Sequence, residues 1–135
     1  MSDEIASENC FELRVPATAE HLPIVRQALR GFLEADGVPQ ERIEDVLLAV
    51  TEACANVVRH AYREDDSEGN VDLIAGVGDG AVTVTVVDRG LGFAPRVDSP
   101  GLGLGLPVMA ALATRLEIST GDEGGTVVEM AFDPK

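Results

Sequence analysis

Glu52-Ala53-Cys54-Ala55-Asn56-Val57-Val58-Arg59-His60-Ala61-Tyr62 is the stretch on which the reading turns. It closes a longer segment in which Ile43, Val46, Leu47, Val50, Ala53, Cys54, Val57 and Ala61 recur at helical spacing. That wide apolar stripe predicts one long amphipathic helix, with Pro39 tolerated as a first helical residue and an end at about Tyr62. Glu52 and Asn56 stand one helical turn apart, so a carboxylate and an amide project side by side. The same face is expected to carry Arg59, His60 and Arg63 within a further turn or two. A solvated polar stripe shows the same spacing, so the pair gains meaning only from its surroundings.

Upstream, Phe11, Leu13 and Val15 alternate with Glu12 and Arg14, a half-buried strand over residues 10–15 that ends at Pro16 and suits a sheet edge. Thr18 is placed to cap a first helix through Leu22, Val25, Leu29, Phe32 and Leu33, with Gly37 as its stop. Downstream, residues 71–75 and 81–88 read as strands joined by a glycine-rich turn over 76–80, with Val82, Val84 and Val86 facing inward. Residues 90–106 are rich in glycine and proline and read as a loop. Residues 107–113 can be helical, 116–119 extended, 121–125 a turn and 126–132 a last strand. The resulting fold class is α+β, a two-layer sandwich with helices on one face of a mixed, mainly antiparallel sheet. A polar tail over residues 1–9 precedes a single domain over residues 10–135.

The composition supports this and removes whole classes of function. A chain of 135 residues, 45% of them hydrophobic, can bury one core and has no room for a second domain. Ten Lys and Arg against 24 Asp and Glu give a formal charge of -14, which disfavours nucleic acid and anionic membrane surfaces and favours a basic protein partner. A phosphate ligand must then be held by local devices such as backbone N–H groups, a helix N-terminus or a metal ion. Cys10 and Cys54 match no paired motif and are expected to be reduced, buried thiols of a cytoplasmic protein. The acidic start lacks the basic and then apolar pattern of a signal peptide, and no apolar run reaches membrane-spanning length.

Three further segments carry candidate chemistry. Asp88-Arg89-Gly90-Leu91-Gly92 follows a strand; it suits a turn, or a carboxylate that accepts a hydrogen bond from an exocyclic amine while Gly90 and Gly92 let a flat ring approach the backbone. Gly101-Leu102-Gly103-Leu104-Gly105-Leu106 opens a helix, where successive N–H groups can face an anion at the positive end of the dipole; a flexible linker has the same composition. Thr126 opens the last strand, where its hydroxyl can face a ligand or serve the strand alone. The glycine run is not a dinucleotide fingerprint, and the lysine of a P-loop is missing, because Lys135 is the only lysine.

Taken together and in order, these segments resemble the GHKL, or Bergerat-fold, ATPases with a histidine kinase-like ATPase domain, and among them the anti-sigma-factor serine/threonine kinases. Glu52 to Tyr62 looks like the N box, Asp88-x-Gly90-x-Gly92 like the first glycine box, and residues 101–106 like the second. The resemblance implies ATP as substrate and Mg²⁺ at Asn56. It also implies Asp88 on the adenine amino group, Gly90 and Gly92 shaping the adenine pocket with Thr126 behind it, and Gly101, Gly103 and Gly105 at the phosphates. Glu52 is implied as general base toward a serine of an anti-sigma-factor antagonist. A sigma factor is the second implied partner, and such kinases commonly form homodimers. Arg96, between the glycine boxes, is read as a solvated charge beside Asp98. His60 and Tyr62 match the pattern but are left out of the catalytic set.

Two alternatives use the same residues: the ATP-binding domain of a histidine kinase, and a nucleotide-binding regulatory module that transfers no phosphate. Residues 93–100 leave little room for the longer lid of the first. Thr51 stands where many relatives carry serine, and Pro107 follows the second glycine box, a position compatible with a first helical turn.

Overall fold

Alternating side chains set the strands. In Ala81–Asp88 (β3) Val82, Val84 and Val86 are buried, and in Asn70–Gly78 (β2) so are Val71, Leu73, Ala75 and Val77. Period-2 burial of this kind marks a sheet with one covered face. The computed structural model of the chain describes residues 9–61, 69–89, 105–121 and 125–134. β2 and β3 meet in a two-residue turn, Asp79-Gly80, with φ of 55° and 81°. Both values lie in the left-handed region that a type I′ hairpin requires and that Asp-Gly supplies. The turn expected over residues 76–80 is therefore shorter than its composition suggested, because Gly76, Val77 and Gly78 pair with Thr83, Val82 and Ala81 inside the ladder.

With Asn9–Pro16 (β1), Arg115–Thr120 (β4) and Thr126–Phe132 (β5), the sheet has the order β1-β2-β3-β5-β4 and is antiparallel at each of these pairs. β1 occupies an edge, as its sequence suggested, and begins at Asn9. β3 and β4 flank β5 and run parallel to each other, so the chain between them crosses over β5, and the helix Gly105–Leu112 lies on that crossover.

Thr18 precedes a short 3₁₀ turn, Ala19–His21, with its hydroxyl 2.7 Å from His21 Nδ1, and the first α-helix starts later than its cap suggested. That helix, Leu22–Ala35 (α1), buries Val25, Leu29 and Leu33. It stops at Gly37, whose φ of 79° only glycine adopts without strain. Pro39, extended at φ -61° and ψ 149°, is the N-cap of Gln40–Asn56 (α2), one position outside the helix rather than its first residue. α2 lies between α1 and Gly105–Leu112 (α3) and rests on β3 and β5. Phe11 of β1 stacks on Phe32 of α1, ring centroids 5.2 Å apart, and Arg30 of α1 bonds Glu44 of α2 at 2.8 Å. The expected pair of buried thiols is half right: Cys54 is buried and burial pushes its thiol up to about 12, whereas Cys10 is exposed. On a strand covered on one side only, alternation turns Cys10 to the open face while Phe11 turns inward.

Two expectations about stability arise here. Gly31 is an exposed residue within α1, and a methyl group there would meet nothing within 4 Å. Gly31→Ala is expected to raise unfolding stability by about 0.5–1 kcal/mol, because it restricts the unfolded chain and favours the helix; urea denaturation measures it. On the open face of the sheet Asp72 receives Arg14 Nε at 2.6 Å and Arg89 Nη1 at 2.9 Å. The hydrogen bond from Arg14 foremost, helped by Arg89, holds the Asp72 carboxyl below its ordinary 3.8 against the opposing effect of partial burial. A carboxylate lowered on folding stabilises fully above its unfolded value and loses that contribution as pH falls through the folded value. The stability gap between wild type and Asp72→Asn, small for so exposed a cluster, is therefore expected near neutrality. It should close as pH drops below about 4, as comparison of urea midpoints across that range would show.

Candidate functional site

Arg42 ties the start of α2 to one end of the sheet, so the polar residues at the far end of the helix fall at the other. From the first turn of the helix its guanidinium donates to the carbonyls of Asp133 at 2.6 Å and of Gly80 and Phe132 at 3.3 Å each. Those carbonyls mark where β3 begins and where β5 ends. From this anchor α2 rises about 1.5 Å per residue and β3 about 3.4 Å, so Asn56 and Asp88 reach the opposite end together after roughly 21 and 27 Å. Thr126, the first residue of β5, arrives at the same end because Val87 pairs with Val127.

Asp88 completes the inward alternation of Val82, Val84 and Val86, so its carboxylate lies under the helices rather than at the surface, only 7% exposed. A carboxylate in such a place requires hydrogen-bond donors, and the Thr126 N–H reaches Asp88 Oδ1 at 3.4 Å. Thr126 is itself buried. An acceptor held at the end of an apolar face suits a flat, amino-bearing ring that slides against the valines.

Asn56 is the last residue of α2, and a π turn, Val57–Ala61, comes directly after it. Such turns insert a residue into the helical phase and recur at functional sites. Arg59 lies on that turn, where the backbone departs from the 3.6-residue phase that relates Glu52 to Asn56, while the His60 side chain and Arg63 lie outside the described residues. The buried Oδ1 of Asn56 has no hydrogen-bond partner among the described residues. An acceptor in that state suits a cation or a ligand donor, because leaving it unmet costs about 1–3 kcal/mol. Glu52, partly exposed, lies one turn earlier on the same side. The Thr51 hydroxyl donates to the Leu47 carbonyl at 2.6 Å, back into the helix.

Gly105 begins α3, which packs on α2. Pro107 falls within the first helical turn, where its missing N–H costs nothing. Gly90, Gly92, Gly101 and Gly103, with Arg96 and Tyr62, lie outside the described residues. Four of the predicted residues, Glu52, Asn56, Asp88 and Thr126, are thus brought to one end of the sandwich, with Gly105 on the helix beside them. One residue was not singled out: Gly125 is buried, and a side chain there would fall on the Asp88 backbone. Its signal in the sequence, a Gly-Gly pair before a strand, reads equally well as a hairpin turn. Among the described residues no three His, Cys, Asp or Glu side chains gather as a metal cluster.

Known proteins share this fold. A family model described as the histidine kinase-like ATPase domain matches residues 15–132. Serine-protein kinase RsbW of Bacillus cereus (strain AH187) is 32% identical, the match covering 87% of this chain and 81% of that protein. The crystal structure of the RsbU and RsbW domains of Rv1364c from Mycobacterium tuberculosis superposes with a TM-score of 0.73 at 28% identity, over 93% of this chain and 32% of that longer one. The histidine kinase domain of a blue-light activated histidine kinase from Erythrobacter litoralis EL346 gives a TM-score of 0.59 at 26% identity, over 87% of this chain and 61% of that one. The open antiparallel sheet under three helices is the fold on which these structures superpose, and the chain belongs to the histidine kinase-like ATPase domain family, among the relatives of the serine-protein kinase RsbW.

Proposed function

We propose that the chain is an ATP-dependent serine/threonine-protein kinase that acts as a cytoplasmic anti-sigma factor, phosphorylating a serine of an antagonist protein and binding a sigma factor in exchange. The observation that carries this reading is the convergence at one end of the sandwich of a buried carboxylate, Asp88, and a buried amide oxygen, Asn56 Oδ1, that has no partner among the described residues. Asp88 would accept the adenine amino group, with the Thr126 N–H holding the carboxylate in place. Gly90 and Gly92 would let the base approach the backbone. Gly101, Gly103 and Gly105 would offer N–H groups to the phosphates at the start of α3, where the helix dipole favours an anion. Asn56 would hold Mg²⁺, which when bound offsets charge on the phosphates.

Glu52 would accept the proton of the substrate serine as its oxygen attacks the γ-phosphorus. The new bond joins the serine oxygen to phosphorus, the bond from phosphorus to the bridging oxygen breaks, and ADP leaves. The net charge of -14 suits a partner with a basic patch. A second copy of the chain is a further proposed partner. The higher TM-score with the RsbW-containing structure, 0.73 against 0.59, favours the serine kinase over the histidine kinase reading.

The test is transfer of labelled γ-phosphate from Mg-ATP to a serine of the antagonist-type protein that co-purifies with the chain in the presence of ATP. Labelling is expected; ATP binding with no labelling of any such partner would leave a nucleotide-binding regulator instead. Asp88→Asn is expected to weaken Mg-ATP binding at least about tenfold in calorimetry, since the amide puts a donor where the base needs an acceptor. Unchanged affinity would remove the adenine assignment.

A further inference from the structure

We propose that Gly125 is a positioning residue for base selection, acting through Asp88; this rests on the reading of Asp88 as the adenine acceptor. An added Cβ at residue 125 would lie on the main-chain carbonyl of Asp88 and 2.7 Å from the Cα of Arg89. Backbone against backbone at this separation leaves room for hydrogen alone, a standard reason for glycine next to a strand. Residue 125 is held from its other side as well. Its carbonyl accepts the Gly121 N–H at 2.9 Å on the side of β4, so it is clamped between the β4–β5 connection and the end of β3. The next residue supplies the Thr126 N–H to Asp88 Oδ1 at 3.4 Å. The missing side chain thus lets the start of β5 close on the end of β3, and that closure fixes the direction of the carboxylate.

Direction matters here because adenine and guanine differ at one edge position, a donor amine in one and an acceptor carbonyl in the other. A fixed carboxylate accepts from the first and repels the second. A carboxylate free to turn away loses the repulsion as well as the bond, so discrimination falls further than affinity. Selectivity set by a hydrogen-bonding group depends on that group staying unpaired with the wrong ligand.

The experiment compares wild type, Gly125→Ala and Thr126→Pro, all in the stabilising Gly31→Ala background, for Mg-ATP and Mg-GTP binding by calorimetry well below each variant's Tm. Thr126→Pro removes the N–H donor without adding a Cβ at 125, at a first strand position where proline is tolerated. The ratio of ATP to GTP affinity is expected to fall at least about tenfold in both variants. A purely structural glycine would lower Tm and leave the ratio unchanged, and that result overturns the proposal. Failure of both variants to fold even with saturating Mg-ATP overturns it too, by making residue 125 a requirement of the fold alone. No preference for ATP in the wild type would instead remove the adenine reading itself, whereas a normal wild-type preference that Asp88→Asn abolishes and Gly125→Ala keeps would remove only the role of Gly125.

Discussion

Glu52→Ala is expected to reduce serine phosphorylation by roughly 10²–10⁴-fold, the usual contribution of a positioned general base, while Mg-ATP affinity stays within about twofold. The fold tolerates the change: Glu52 is partly exposed on α2, and alanine is the better helix former. The proposed nucleotide contacts, Asp88, Asn56 and Thr126, are untouched. Glu52→Gln should fail almost as badly, because an amide of the same shape cannot take the serine proton. In initial-rate measurements kcat and kcat/KM for the protein substrate should fall together, the signature of an interaction made only in the transition state. Equal turnover by either variant would remove Glu52 from the chemistry and leave the proton to solvent.

Arg42→Ala is expected to destabilise the fold by about 2–4 kcal/mol, by the loss of hydrogen bonds from a charged donor and of the buried stem. Three carbonyls, of Gly80, Phe132 and Asp133, would lose their donor at once. The side chain is only 7% exposed, so water replaces it poorly. The position opposes the helix dipole, since a cation in a first turn faces the positive end. Its place is therefore explained by the carbonyls and not by α2. Lysine should rescue little, because one ammonium group cannot span three acceptors that a planar guanidinium reaches. Urea unfolding with an unchanged m-value would confirm the loss, and a change below about 0.5 kcal/mol would show that the three carbonyls find water instead. Because Arg42 ties the start of α2 to the ends of β3 and β5, ATP binding by the surviving folded protein should weaken as well.

Much of the architecture was legible because the signals are local. Apolar residues at helical spacing gave α1 and α2, and alternating valines gave β3 with its inward face and its ends; α1 begins three residues later than a Thr18 cap implied, and α2 closes at Asn56 with a π turn where one helix to about Tyr62 was expected. The candidate site was legible through residue type and order: Glu52 and Asn56 one turn apart, an aspartate closing a strand, then glycines. Illegible features each depend on a partner distant in sequence. Gly76 belongs to a ladder and not to a turn because Thr83 is there to pair with it. Cys10 is exposed because no described residue covers the outer face of β1, which composition cannot reveal. The π turn after Asn56 departs from the phase that the apolar stripe alone implied.

The order of residues was enough to determine the element types, the one-sided sheet and the set of groups available for chemistry, since helical and strand periods are written in neighbouring positions. Only the tertiary structure decided which ends meet. It ran α2 alongside β3 through Arg42, turned Asp88 inward beneath the helices, and pressed Gly125 against the Asp88 backbone. These are contacts between residues tens of positions apart, set by strand register and packing, and no local period encodes them.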